Sequence, residues 1–227
     1  MWYHIFKFEI QYRIKRPDTY VFFLFLFLFS FVGVDFIFQG ADFGVMKKNS
    51  PFVIAKTMGA ITGIFMILAS MIMGVSVLRD FEYEIESLIF STTIKKKDYL
   101  LGRFLGAFTV LLFVFSGVIF GMMLGELLDF NALVYLKTFL IVTLPSLFFG
   151  ASLFFVTGAL SRNLVVVYTQ GIFLFVVFML TKAITNEFWQ AILDPFSLTT
   201  TTFVTKSWSA LEKGTQSIPF FGGALMY

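Results

Sequence analysis

Few side chains in this 227-residue chain have the chemistry of an active site, and their spacing narrows the choice further. His4 is the single histidine and cysteine is absent, so neither a two-histidine zinc helix nor a thiolate metal cluster can be assembled. Without cysteines there is no disulfide framework from which to read a redox compartment. No glycine-rich phosphate loop ends in Lys and Ser or Thr, and no dinucleotide fingerprint follows a strand pattern. The expectation is a chain that is not an enzyme, with no catalytic, cofactor-binding or metal-ligating residue; any nucleotide is bound by another polypeptide.

Two polar features remain. Asp35 is the one carboxylate inside a long apolar run, and an acid at mid-bilayer costs about 2.5–3.5 kcal/mol on insertion scales. It lies close to the outer end of its run, within reach of water or headgroups, so a structural acid and an intramembrane polar site are both open. The second feature is the stretch from Arg79 to Arg103, RDFEYEIESLIFSTTIKKKDYLLGR, acidic at Glu82, Glu84 and Glu86 and basic at Lys95, Lys96 and Lys97. Phe81, Ile85, Leu88 and Ile89 fall at i, i+4, i+7 and i+8 with the glutamates on the flanks, the pattern of a short amphipathic helix. Ser91, Thr92 and Thr93 break that pattern, and Asp98 is placed to cap the helix that follows. Such a segment either lies among headgroups or docks a cytoplasmic partner.

The elements that hold these residues are apolar runs. Tyr20 to Phe38, Thr57 to Leu78, Phe104 to Gly125, Thr138 to Leu160 and Leu164 to Thr181 are almost wholly apolar, and four of the five carry no charge. Each is long enough to cross a bilayer, where backbone polar groups must be satisfied within the segment, so an all-α, polytopic membrane helical bundle is expected. With 58% hydrophobic and 14% charged residues and a mean hydropathy of +0.87, a soluble domain of this size is excluded. A net charge of +3, grouped beside the runs, does not suggest nucleic acid. The 34 phenylalanines read as lipid-facing and interhelical filling.

Alternating the crossings puts Lys7, Arg13, Lys15, Arg16, Arg79, Lys95, Lys96, Lys97, Arg103 and Arg162 on one side, against Lys47, Lys48, Lys56, Lys137 and Lys182 near the spans on the other. That asymmetry orients the N-terminus toward the cytoplasm of a cell inner membrane. Asn49 and Ser50 before Pro51 predict a second helix over 51–78, longer than the hydrocarbon core. The expected spans are about 20–38, 51–78, 104–127, 138–160 and 164–181, within a permease domain over 1–181. An extracytoplasmic loop over 182–227 follows, with a short interfacial helix at 187–193 capped by Asn186 and ended by Pro195. Gly117, Gly121 and Gly125, and Gly59 with Gly63, recur every fourth residue and allow close backbone approach, within the chain or across a homodimer seam. Pro145 is expected to kink span four. In the first sixteen residues Phe6, Phe8, Ile10, Tyr12 and Ile14 alternate with polar residues, a strand pattern, yet a lone strand at an interface leaves its backbone unpaired, so an amphipathic interfacial helix is preferred.

The order of glutamates, Leu88, Thr92, Ile94, basic residues and then Tyr99-Leu100-Leu101-Gly102-Arg103 resembles the permease subunits of ABC type-2 exporters. The match covers Glu84, Glu86, Leu88, Thr92, Ile94, Tyr99, Leu100, Gly102 and Arg103; it departs where Tyr83, Glu84 and Ile85 stand in place of a common Gly-Thr pair before the glutamate. The resemblance implies that the 79–103 connection packs against a separate ATP-binding subunit, which carries ATP and Mg, and that a second permease copy or a related permease completes the pathway. It also implies six crossings where five are counted, so a partial sequence is expected. Asp194-Pro195-Phe196, Lys206, Trp208, Glu212, Thr215 and Pro219 resemble the outer loop of a subgroup fused to a zinc aminopeptidase, with Gly214 where Asn is expected. The rival readings are a non-transporting anchor or assembly subunit for an extracytoplasmic peptidase, and a secondary transporter, which would call for paired intramembrane charges.

Overall fold

A computed structural model describes residues 1–40, 49–82, 95–125 and 131–215, and these are all-helical. Helix α1 (Trp2–Ile14) leads through a sharp turn into α2 (Pro17–Gly40). Next come α3 (Pro51–Ile64) and α4 (Met66–Glu82), then α5 (Lys96–Gly125). Helix α6 (Ala132–Thr138) runs through a π-helical turn, Phe139–Thr143, into α7 (Leu144–Ser161), and α8 (Leu164–Thr181) follows. Three short helices, α9 (Glu187–Ile192), α10 (Leu198–Val204) and α11 (Ala210–Thr215), complete the described chain.

Among the described residues four helical segments are long and apolar enough to cross a membrane: 17–35 of α2, α5, the continuous Ala132–Ser161 unit and α8. The α3 and α4 pair raises the number to five if it is one broken span. All five apolar runs of the sequence are therefore helical.

The expected single helix over 51–78 is corrected to two helices meeting at Phe65 with a bend of 50° between their axes. The Phe65 N–H is shared between the carbonyls of Ile61 and Gly63, and Leu68 N–H returns to the Phe65 carbonyl at 3.0 Å, so the ladder tightens at this point. Gly63 supplies a weak turn just before the break. The Phe65 ring then meets Phe29 edge-on at 4.6 Å and Phe25 at 5.5 Å, both from α2. Beyond the bend Met66 is buried, with its sulfur against Gly150 of α7.

The two halves keep different company. Helix α3, buried on nearly every side, packs against α6, the π turn, α10 and α11, whereas α4 packs against α5, α7 and α8. The N-cap of α3 is Ser50, whose hydroxyl accepts from Val53 N–H at 3.4 Å with Pro51 in the first turn, as the sequence predicts.

At Pro145 the chain absorbs the missing N–H by winding the preceding turn wider: Leu144 N–H reaches the carbonyl of Phe139, five residues back. The segment expected as loop over 182–227 holds two helices besides the one at its start, α10 and α11. The threonine hydroxyls of α10 turn back on its own backbone, Thr201 to the Ser197 carbonyl, Thr202 to Leu198 and Thr205 to Thr201, and Asp194 caps its start by accepting from Thr199 and Thr200 N–H.

Glycines set the closest approaches. A Cβ on Gly117 would stand 2.7 Å from the Phe23 carbonyl oxygen, and one on Gly121 would overlap Ser30 and the Phe27 carbonyl, so α2 lies directly on this face of α5. The same face continues at Gly106 and Gly102, where α1 takes over from α2. Gly59 and Gly63 receive the Phe196 carbonyl and ring. These contacts are intrachain; Gly125 is looser, with the Phe31 carbonyl 3.7 Å from a Cβ placed there.

Candidate functional site

Helix α1 turns two of its charged residues toward the bundle: Glu9 and Arg13 are its buried residues, while Lys7 is exposed together with Trp2, Tyr3, Phe8 and Ile14. In lipid that is the favourable orientation, because polar groups find partners inside the protein and apolar ones face chains.

Glu9 is fully buried at the end of the bundle where α4 finishes and α5 begins. Its place depends on Gly106, since a Cβ there would stand 2.7 Å from Glu9 Cβ, and on Gly102, where a Cβ would stand 2.6 Å from the Trp2 carbonyl. Oε1 accepts from Arg13 Nε at 3.2 Å and from Ser76 Oγ at 3.2 Å; Oε2 accepts from Arg79 Nη2 at 2.9 Å and from Arg103 Nη1. Arg13 extends the network through Nη2 to Ser76 Oγ at 2.7 Å and to the Ile72 carbonyl at 3.0 Å. The Arg79 guanidinium also sits 3.9 Å from the centre of the Tyr12 ring, close enough for a cation–π contact.

Two consequences follow from the donor count. A carboxylate has about four acceptor positions, and four donors occupy them, so Glu9 has no lone pair for a metal, a substrate or an abstracted proton. Burying charge costs several kcal/mol per ion unless the geometry and hydrogen bonding are complete, and one carboxylate among three guanidiniums at under 10% exposure makes each member depend on the others. The cluster can hold and transmit position; it cannot do acid–base chemistry.

What it holds is specific. Arg79 and Arg103 are the two ends of the acidic-then-basic connection, and one carboxylate on α1 grips both. Glu84, Glu86, Leu88 and Thr92 lie outside the described residues, as does the side chain of Glu82, whose backbone ends α4. Lys95, Lys96 and Lys97 are exposed. Asp98 is half-buried in the first turn of α5, where it complements the helix dipole; it is not the cap itself, since the helix begins at Lys96. Asp35 is exposed on α2. Among the described residues no group of three or more His, Asp or Glu side chains could hold a metal.

Sequence alone did not bring Glu9, Arg13 and Ser76 together, and it marked Arg79 and Arg103 as orienting charges and as the ends of the connection, not as partners of one carboxylate. The available signal was local: Glu9 and Arg13 are four apart and share a helix face, an arrangement that the alternation of Phe6 to Lys15 masks.

The described residues, all-helical with four to five apolar crossings of membrane length and knit at one end by a buried ionic cluster, have the architecture of a multi-pass membrane protein. No family model, curated protein or solved structure matches the chain, so function is argued from its own residues.

Proposed function

We propose that this chain is the membrane-spanning permease subunit of an ATP-driven exporter of the ABC type-2 kind, with its N-terminus in the cytoplasm and its 79–103 connection docked on a separate ATP-binding subunit. The observation that carries this reading is the shared grip of Glu9 on Arg79 and Arg103. A partner that tilts or pushes the connection acts on the two residues where it enters the membrane helices. Because both are bonded to one buried carboxylate, that push displaces α1, α4 and α5 together and does not dissipate in a loose loop. From α4 the displacement reaches α7 and α8, and at Phe65 it meets the bend to α3.

Nucleotide shifts such an equilibrium only to the extent that the ATP-binding subunits favour one state of the permease over the other. The connection is where that difference is felt, with Glu82, Glu84, Glu86, Leu88, Thr92 and Lys95 to Asp98 as the contact residues. A second permease copy or a related permease would supply the other half of the pathway.

The test is charge reversal at the docking residues, in co-expression with any ATP-binding chain that co-purifies with the native protein. Glu84→Lys with Glu86→Lys should abolish co-purification and permease-stimulated ATPase while the permease itself still inserts and melts normally. Retained co-purification with coupled ATPase removes the docking assignment. If no ATP-binding chain associates with the native protein, the exporter reading falls and the anchor reading replaces it.

A further inference from the structure

Three departures from regular helix surround one cavity at the bundle end opposite Glu9. The π turn at Phe139–Thr143 precedes Pro145 and Ser146; Ser197 is held at φ 61°, a left-handed conformation costly for any side-chain-bearing residue; and Asp194 folds back to cap α10. The cavity between them measures about 410 Å³, within the range of small-molecule sites. Phe149 and Val177 on α7 and α8, with Ile192 and Leu193 at the end of α9, give it apolar walls. Its polar groups converge at one place, where Ser146 Oγ and Ser197 Oγ stand 3.4 Å apart beside Asp194.

We propose that this cavity binds a single-chain amphiphile, its acyl or alkyl chain along Phe149 and Val177 and a hydroxyl-bearing head at Ser146, Ser197 and Asp194. The chemistry of the lining selects that class. The walls offer no partner to a polar body, which fits a hydrocarbon chain supplied laterally from a bilayer. At the polar end, Ser146 Oγ already donates to the Val142 carbonyl, so toward a ligand it acts as an acceptor. Asp194 is likewise acceptor-only: Oδ2 receives Thr199 and Thr200 N–H and the Thr200 hydroxyl, whereas among the described residues Oδ1 receives Phe196 N–H alone, at 3.0 Å. A head that donates a hydrogen bond is complementary, whereas a carboxylate head offers only acceptors to the acceptors of Ser146 and Asp194. The left-handed Ser197 turns its hydroxyl toward Ser146, which gives the strained backbone a use in shaping this end. None of this depends on an ATP-binding partner, so the two proposals fail separately.

The experiment is photolabelling of the purified protein in neutral detergent with a long-chain alcohol carrying a diazirine near mid-chain, followed by peptide mapping. Adducts should concentrate on Phe149, Val177, Ile192 and Leu193, saturate with probe and be competed by unlabelled alcohol. The methyl ether and the carboxylate of the same chain should saturate several-fold more weakly. Val177→Trp, which fills the cavity, and Ser146→Val should each lower these adducts several-fold while labelling of the exposed α2 face at Leu24 and Leu28 stays constant, an internal check that the bundle is intact. Labelling that rises linearly with probe and merely follows surface exposure, adducts indifferent to Val177→Trp, or equal saturation by alcohol, ether and carboxylate would overturn the proposal.

Discussion

Glu9 and Arg79, separated by 70 positions in the chain, meet at 2.9 Å in a site that excludes solvent. The pair ties the first helix to the end of α4, and Arg103 joins the same oxygen from α5. Removing the carboxylate takes from three buried guanidiniums the acceptor they share. Glu9→Ala should therefore cost about 3–5 kcal/mol, the range found when a buried ion pair loses one partner. Thermal unfolding of the purified chain in detergent measures it. Glu9→Gln keeps the shape but not the charge and should lie between wild type and alanine; a melting temperature unchanged in both variants would mean that the cluster does not hold α1 in place.

The glycine face of α5 makes a graded prediction. At Gly121 even one methyl group overlaps Ser30 and the Phe27 backbone, so Gly121→Ala must push α2 away, an overpacking loss of about 1–3 kcal/mol. At Gly125 an added methyl would meet only the Phe31 carbonyl, at ordinary contact distance, and Gly125→Ala should be neutral or slightly stabilising through helix propensity. Comparing the two melts tests whether α2 is the partner of this face. Equal effects at both sites would point to an interface elsewhere.

How much of this was readable beforehand depends on range. The apolar runs were legible because lipid imposes both length and helicity on any crossing, and the caps at Ser50 and Asn186 were legible because their acceptor lies two or three residues from its donor. The break at Phe65 was not, since what makes it favourable is Phe25 and Phe29 on another helix. The Glu9 cluster was hidden for the same reason: its members come from α1, α4 and α5, and only Glu9 and Arg13 are neighbours on one helix. Helix α10 looked like loop because serine and threonine compete for backbone bonds, and it forms because Asp194 caps it and its threonine hydroxyls bond within the helix.

Ser209 and Glu212 form a reciprocal cap on α11. Glu212 Oε2 accepts from Ser209 N–H at 2.7 Å and from its hydroxyl at 2.8 Å, while Glu212 N–H donates to Ser209 Oγ at 3.3 Å. The backbone bond first, and the hydroxyl bond second, hold the Glu212 carboxyl below its ordinary value. A folded-state value below the unfolded one means that the contribution to helix stability is complete above the unfolded value and is lost as pH falls through the folded one. The Glu212 carboxyl resonance should titrate below that of an unstructured glutamate, and Glu212→Gln should remove the acid-dependent loosening of α11. A resonance titrating at the unstructured value would mean that the cap is not formed.

Ser197 offers the last test, because strain and ligand site make opposite demands on it. A side-chain-bearing residue at φ 61° costs roughly 1–2 kcal/mol relative to right-handed backbone, whereas glycine adopts that conformation freely but loses about 0.5–1 kcal/mol of backbone entropy on folding. Ser197→Gly should therefore stabilise the chain by about 0.5–1 kcal/mol, raising its melting temperature in detergent. The same change deletes the hydroxyl that stands beside Ser146, so the more stable variant should be the weaker binder of the long-chain alcohol. A variant that is destabilised would show that the serine side chain matters more to the fold than its backbone strain costs. One that is stabilised and still saturates with alcohol as wild type does would show that Ser197 takes no part in holding the head.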